Sequence, residues 1–403
     1  MAAVTVLGAS GSTVSLTYDS QTNAVIAGQL ASAISNAVRS GSLLPAVDTS
    51  GAPPSLPAGS TGEFVQTLTG VTVLPTGYEA VVNTAANAVI LGSSGDQQSV
   101  LSSNGGLTFL PAGGSGTIVG GGGSNRIIIP ASDSGSWSIS TGNGNDFVLA
   151  AGAGNDTIAL GGGHNSIVLG GGADLVKATG DDTIFAGGGA STVVASASQP
   201  TVIFGGSGAL TFIGTSGGAT VIGGHGSETL FGGSGSNEFR GGSDGNNLMF
   251  AGTGQATLFG GGNGDQLWAE GSRAQALHAG SGNETLSAAL SSGNDTLYGG
   301  SGRDQIIGGS GMDTFVAGSG ASTITGVGNT DVFQFVKGAA GGRDLITDFS
   351  GGDKVNLTGY GPTAAQDALN SAVKSGSSTT ITLNDGTKVT FAGVTQLTTT
   401  NFS

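Results

Sequence analysis

A nine-residue phrase returns throughout residues 141–334, and few folds can accommodate it. Its clearest copies are Gly299-Gly300-Ser301-Gly302-Arg303-Asp304-Gln305-Ile306-Ile307 and Gly308-Gly309-Ser310-Gly311-Met312-Asp313-Thr314-Phe315-Val316. Both follow G-G-x-G-x-D-x-U-x, where U is a large apolar residue. The paired glycines let the backbone turn freely and let neighbouring chains approach closely. The trailing x-U-x is a short strand whose middle side chain points inward, because strand side chains alternate. The aspartate supplies a hard carboxylate oxygen of the kind Ca2+ takes. One copy cannot bury its own apolar residue, so copies have to stack.

The phrase resembles the nonapeptide of the RTX (repeat-in-toxin) family of secreted proteins. That resemblance implies an all-β fold, an elongated parallel β-roll or β-solenoid with small α+β end-pieces. Two phrases would make a turn of about eighteen residues, with Ca2+ between successive turns on one side. Aspartates along one edge would then recur at double spacing, Asp156 with Asp174, and Asp295 with Asp313 and Asp331. Candidate Ca2+ ligands in a first run, about 141–184, are Asp146, Asp156, Asn165, Asp174 and Asp182. A second run, about 293–334, offers Asp295, Asp304, Asp313 and Asp331, and Asp265 stands alone between them. Roughly fourteen turns at ~4.8 Å would extend about 65 Å.

The pattern divides the chain into three. Residues 1–84 lack the phrase and read as a small α+β end-piece covering one end of the roll. It has strands near 4–7, 13–18 and 64–74 and a proline-rich loop at 45–59. Between them Ile26, Leu30, Ile34 and Val38 recur every fourth position, predicting a helix over 22–39 that stops at Gly41. Residues 85–335 are the roll. In its first turns Val100, Phe109, Ile118 and Ile127 are nine apart, but only Asp96 and Asn125 lie near the ligand position. Residues 132–138, with Trp137, interrupt the count. Residues 186–290 keep the apolar beat and lose the acid. The ligand position there becomes Ser191, Pro200, Leu210, Ala219, Glu228, Asn237, Asn247 and Ala256, with Val202 among the inward residues. This middle is expected to rest on strand ladders and packing.

Residues 336–403 form the closing part. Leu345, Ile346, Phe349, Val355 and Leu357 are expected to cover the last strands, which would otherwise be a sticky edge. A helix is predicted over 363–374, and Asn384-Asp385-Gly386 marks a hairpin. By resemblance, the tail 398–403 is an exposed secretion signal. A phrase shared by Asn36–Ser42 and Ser371–Ser377 suggests that the two end-pieces meet between neighbouring molecules.

Eighty of 403 residues are glycine, a level associated with low complexity or collagen, but the period here is nine and not three. The net charge of −15, from 26 acidic and 11 basic residues, argues against nucleic acid and anionic membranes as partners. Bound Ca2+ would cancel much of it and couple folding to the metal. There is no cysteine to form disulfides. The start lacks the basic and apolar segments of a cleavable signal, and no apolar run approaches the ~18 residues that would span a membrane. The RTX resemblance implies type I secretion and an extracellular location.

His164, His225 and His278 are scattered, with no H-E-x-x-H pair. No G-x-S-x-G lies at a strand–helix elbow, so no enzyme activity is expected. Thr157, Thr183, Thr192, Thr201, Thr211, Thr220 and Thr229 precede the inward residue and predict outward threonine rows, although β-branched residues suit exposed strands in any case. The expected function is a secreted, calcium-dependent structural protein that assembles with itself into an extracellular layer, filament or biofilm matrix. Cell-surface polysaccharide is a second candidate partner. The alternative is an RTX adhesin, or an ice- or glycan-binding module using the threonine face.

Overall fold

The structure, a computed structural model, describes residues 1–47, 53–93, 95–196 and 199–403. The side chain of Asp96 lies outside the described residues. The chain divides into two compact units, Met1–Ala209 and Leu210–Ser403. Each is a parallel β-solenoid of short strands.

From Thr61–Gln66 onward in the first unit, each strand pairs in parallel with the next but one, so successive strands fall alternately into two sheets. Thr157–Ala159 lies between Trp137–Ser140 and Asp174–Ala178. Phe147–Ala150 lies between Arg126–Ile129 and His164–Leu169. Each of these strands buries at least one apolar residue, and several bury two, as Ile127 with Ile129 and Val148 with Ala150. Ile139, Ile158, Val176 and Val193 from one sheet are buried with Ile127, Val148, Ile167 and Ile184 from the other. Each contributes on the order of 1.5–3 kcal/mol, so a regular supply of aliphatic residues sustains a core in which aromatics are sparse.

The solenoid starts before the phrase does. Leu43–Val47, Thr61–Gln66, Tyr78–Asn83 and Gly95–Ser102 already stack in parallel. Much of the expected end-piece is therefore roll, built on alternating burial without the glycine signature. What remains is the antiparallel hairpin Ala2–Leu7 with Thr13–Tyr18 and a helix, α1 (Gln21–Ser40). Ser20 caps α1 by accepting the Asn23 N–H, and Gly41 ends it at φ 77°. Ala27, Ala31 and Ile34 of α1 share a buried cluster with Val65, Val82, Leu101 and Val119, on the outer face of the first turns. The helix packs along the outer side of the first turns, Leu43 of the first roll strand included. Val71–Val73, the terminal strand of its sheet, pairs among the described residues only with Ala88–Leu91, and Val71 and Val73 are 64% and 61% exposed.

Two register differences follow from local insertions. Ile203, and not Val202, is the buried residue of Thr201–Phe204, and Thr201 replaces Pro200 at the loop position. One extra residue before this strand shifts the alternation. Residues 132–138 do break the count, since Ile139 and not Ser136 is the next inward residue after Ile127, and they place Trp137 in the core. Trp137 meets Phe109 edge-on at 6.3 Å, and donates from Nε1 to Asp133 Oδ2 at 3.0 Å.

The second unit repeats the arrangement. Phe212, Leu230, Met249, Leu267, Leu286 and Ile306 are buried in one sheet, and Val221, Phe239, Leu258, Leu277, Leu297 and Phe315 in the other. The segment expected to close the roll adds strands to both sheets. Ile346 and Val355 are fully buried as inward residues, whereas Leu345 is 37% exposed. Covering falls to the hairpin Ser378–Thr382 with Lys388–Phe391, whose second strand pairs with Arg343–Ile346. At the other sheet Phe402 bridges to Val355, and the Ser403 N–H donates to Val355 O at 3.0 Å. The predicted exposed tail is thus docked. The second helix, α2 (Ala364–Asn370), is shorter than predicted, because Val373–Ser375 turns into a strand against Ser378–Thr382. The phrase shared with the end of α1 therefore occupies different structures in its two places.

Candidate metal centre

Each loop delivers the residue before its strand to the same depth, so these residues form a column at the entry to each sheet. In the first unit one column holds Asn125, Asp146, Asn165 and Asp182, and the other Asp156 and Asp174. In the second, Glu228, Asn247, Asp265, Glu284, Asp304, Ser322 and Asp344 precede one sheet, and Gln275, Asp295, Asp313, Asp331 and Asp353 the other. All are buried.

The columns are held by one recurring bond. A carboxylate Oδ1 accepts the backbone N–H of the column residue one turn earlier. Asp174 accepts from Asp156 at 2.9 Å, Asp313 from Asp295 at 2.8 Å, and Asp331 from Asp313 at 2.9 Å. Within a loop, Oδ2 accepts from a glycine four residues back, as in Gly309 N–H to Asp313 at 2.7 Å and Gly300 N–H to Asp304 at 2.9 Å. Where the following turn has no acid, the same N–H turns either to an amide oxygen, as from Asp146 to Asn165 and from Glu228 to Asn247, or to a loop carbonyl: Asp174 to Ala190 O, Ser191 to Ala209 O, Ala219 to Ser236 O. The loops pack so closely that a Cβ on Gly302 would lie 1.4 Å from Gly282 O.

Burial raises many of these acids, and a neighbouring acid in the column raises several further. Asp156 is pushed up to about 6, with Asp174 and Asp133 adding to burial. Asp331 rises to about 7, with Asp313, Asp353 and Asp348 adding, and Asp344 to about 6, with Asp304 adding. Asp146, Asp174, Asp182, Asp295 and Asp313 are raised too, burial being the largest cause.

A sequence profile described as RTX calcium-binding nonapeptide repeat (4 copies) matches residues 140–176, 178–197, 241–272, 278–311 and 290–324. The chain carries RTX repeats. RTX repeats bind Ca2+ and are typical of type I secreted proteins. No curated protein matches the chain. Among solved structures, the chain is similar to extracellular lipase LipA from Serratia marcescens, at 20% identity and a TM-score of 0.26 over 52% of this chain. It spans 40% of that protein's chain, a likeness too slight to bear on overall fold or activity. Among the described residues, no helix is long and apolar enough to cross a membrane.

The RTX columns fit Ca2+ by their donor chemistry. Asp146, Asp174, Asp295 and Asp344 each keep a buried Oδ2 with no hydrogen-bond partner, as do both carboxylate oxygens of Glu284. Such oxygens are costly unless something positive meets them. No three His or acidic side chains converge among the described residues, so a shell of six to eight oxygens would need loop carbonyls as well, which Ca2+ accepts. Asp156, Asp174, Asp295, Asp304, Asp313 and Asp331 would hold it, and the ion would supply charge neutralisation and a link between turns. Asp146, Asp182 and Asp265 stand in the same columns, but each has an oxygen engaged by a neighbouring amide nitrogen.

Asp344 and Asp353 extend the two columns beyond the expected ligand set. Asp344 accepts from Ser322 at 3.0 Å, and Asp353 from Asp331 at 2.9 Å. Their signal was Asp-x-U, in Asp344-Leu-Ile346 and Asp353-Lys-Val355, without the full glycine phrase. The histidines stand off the columns. His278 stacks between Phe259 and Tyr298 at 4.6 and 4.1 Å, and burial, then Arg240, lowers its pKa. The threonine rows are broken. Leu175 separates Thr157 from Thr192, Val202 follows Thr183 and Glu238 follows Thr220.

Proposed function

We propose that this RTX protein is a calcium-dependent structural protein of the cell exterior that assembles with itself, and that it has no catalytic role. The observation that carries this reading is the strand Val71–Val73. It ends its sheet, presents two exposed valines and, among the described residues, leaves one side of its backbone unpaired. Natural sheets usually blunt such an edge with charge, proline or a covering segment. In the second unit the corresponding strand, Lys354–Thr358, has Phe402 against it. A bare apolar edge invites strand addition by another copy, and an edge that docks on a different surface of its neighbour makes a contact that does not close and so propagates.

The test is Val71→Lys with Val73→Lys in the full chain. Both side chains are exposed, so calcium-induced folding by far-UV circular dichroism should be kept. Calcium-triggered light scattering and polymers in electron micrographs should be lost. Unchanged polymer growth would overturn the edge contact. A wild-type protein that stays monomeric in calcium while retaining a glycan or ice would favour the adhesin reading.

A further inference from the structure

Besides Asn237, whose Nδ2 donates to Gly235 O at 3.2 Å and Ala251 O at 3.1 Å, four column positions hold an amide whose nitrogen faces the loop oxygens. In the first unit, Asn125 Nδ2 donates to Gly121 O at 3.0 Å, Gly123 O at 2.8 Å and Asp146 Oδ1 at 3.0 Å. Asn165 Nδ2 donates to Gly161 O at 3.2 Å and Asp182 Oδ1 at 2.7 Å. In the second unit, Asn247 Nδ2 donates to Gly242 O at 3.3 Å and Asp265 Oδ1 at 2.9 Å. Gln275 Nε2 donates to Gly252 O, Gly254 O and Glu270 O, each at 2.8 Å.

The nitrogen and oxygen ends are fixed by their partners in three of the four. The oxygen of Asn165 accepts the Asp146 N–H, that of Asn247 the Glu228 N–H, and that of Gln275 the Glu270 N–H. In Asn125 a flip would set the oxygen against three acceptor oxygens, so the nitrogen has to point there. The same oxygen types recur around the nitrogen. They are carbonyls of the loop glycines and, in three cases, the carboxylate one turn on.

Loop carbonyls and a carboxylate are Ca2+ ligands. A nitrogen within hydrogen-bond distance of them occupies the position an ion would need, since Ca2+ requires oxygens at 2.3–2.6 Å. We propose that the amides of Asn125, Asn165, Asn247 and Gln275 close these turns in place of Ca2+. They act as neutral plugs that satisfy the loop oxygens and exclude the ion. Asn165, read from the sequence as a candidate ligand, becomes a non-ligand. The proposal rests on the calcium-binding reading of the RTX loops and locates where those loops refuse the ion.

The experiment is Asn165→Asp and, separately, Asn247→Asp in the full chain, one in each unit. Bound calcium per chain is counted by equilibrium dialysis and native mass spectrometry. Each change replaces a donor nitrogen with an acceptor oxygen, so each variant should bind one more Ca2+ than the parent. Without metal at pH 8 it should be less stable than the parent, because carboxylates and carbonyls then face one another. Asn165→Ala is the companion measurement and should leave the parent's count unchanged. The proposal is overturned if neither aspartate variant gains an ion, or if Asn165→Ala loses one. A parent that binds no calcium would instead remove the reading on which the plugs depend, and the plugs with it.

Discussion

Stripping the metal should leave a fold that is stabilised by acid. Asp156 and Asp344 are raised from 3.8 to about 6 and Asp331 to about 7, in each case chiefly by burial. One pKa unit corresponds to about 1.4 kcal/mol. A single ionised carboxylate of this group therefore costs the metal-free fold on the order of 3–4 kcal/mol. The contributions do not simply add, because the stacked acids shift one another. The sign follows from proton counts. Between about pH 4 and pH 7 the native chain binds more protons than the unfolded one, so stability falls as pH rises. The stabilising contribution is fully present below the unfolded pKa and is lost through the native pKa values near 6–7.

The measurement is urea unfolding by far-UV circular dichroism from pH 4.5 to 8, on protein freed of metal on a chelating resin. The midpoint should fall steadily with pH without metal and change far less with calcium present. Adding calcium near pH 6.5 should release protons, since ion and proton compete for the same oxygens. A metal-free protein more stable at pH 8 than at pH 5, or calcium binding without proton release, would refute the buried-carboxylate reasoning.

Three substitutions separate hydrogen bonding, charge and packing. Asp313→Ala leaves the Asp295 and Gly309 N–H groups without their acceptor, at about 1–3 kcal/mol each, and should lower urea stability with and without calcium. Asp313→Asn keeps one acceptor and loses the charge. It should weaken calcium binding in titration calorimetry while sparing, or raising, metal-free stability at pH 8. Gly302→Ala sets a Cβ 1.4 Å from Gly282 O, so the loop has to move. A loss of more than about 4 kcal/mol, in the range of severe single substitutions, is expected by chemical denaturation.

The roll was legible because its two periodicities are rigid. Inward residues such as Ile158, Ile306 and Phe315 fall where the nine-residue count puts them, and the Asp156–Asp174 and Asp295–Asp313–Asp331 stacks fall at double spacing. Legibility stopped where the glycine phrase was absent but the alternation persisted. Phe64, Val81 and Val100 are inward residues of early turns, and only Val100 lay in the count. A single added residue near Pro200 moved the inward position from Val202 to Ile203. The direction of an amide could not be read from sequence at all. Asn165 offers an oxygen and a nitrogen, and the three-dimensional neighbours decide which end meets Asp182.

The two ways of satisfying the column N–H suggest what calcium adds. Ser191, beside Asp174 in the first unit, and Ala219, beside Asn237 in the second, occupy the position that acids take elsewhere, and their N–H groups bond to loop carbonyls. The stack can therefore be built without a carboxylate. An acid at that position adds a buried charge about one strand spacing, roughly 4.8 Å, from the next. Like charges that close repel by a few kcal/mol at an effective dielectric near 20. Aspartate is a poor choice for stacking alone, and the runs Asp156–Asp174 and Asp295–Asp313–Asp331–Asp353 place it repeatedly where that repulsion is largest. The arrangement makes physical sense when a divalent cation joins the folded state. Calcium then converts the least favourable feature of the metal-free columns into a link between turns, and the solenoid folds most stably where calcium is abundant.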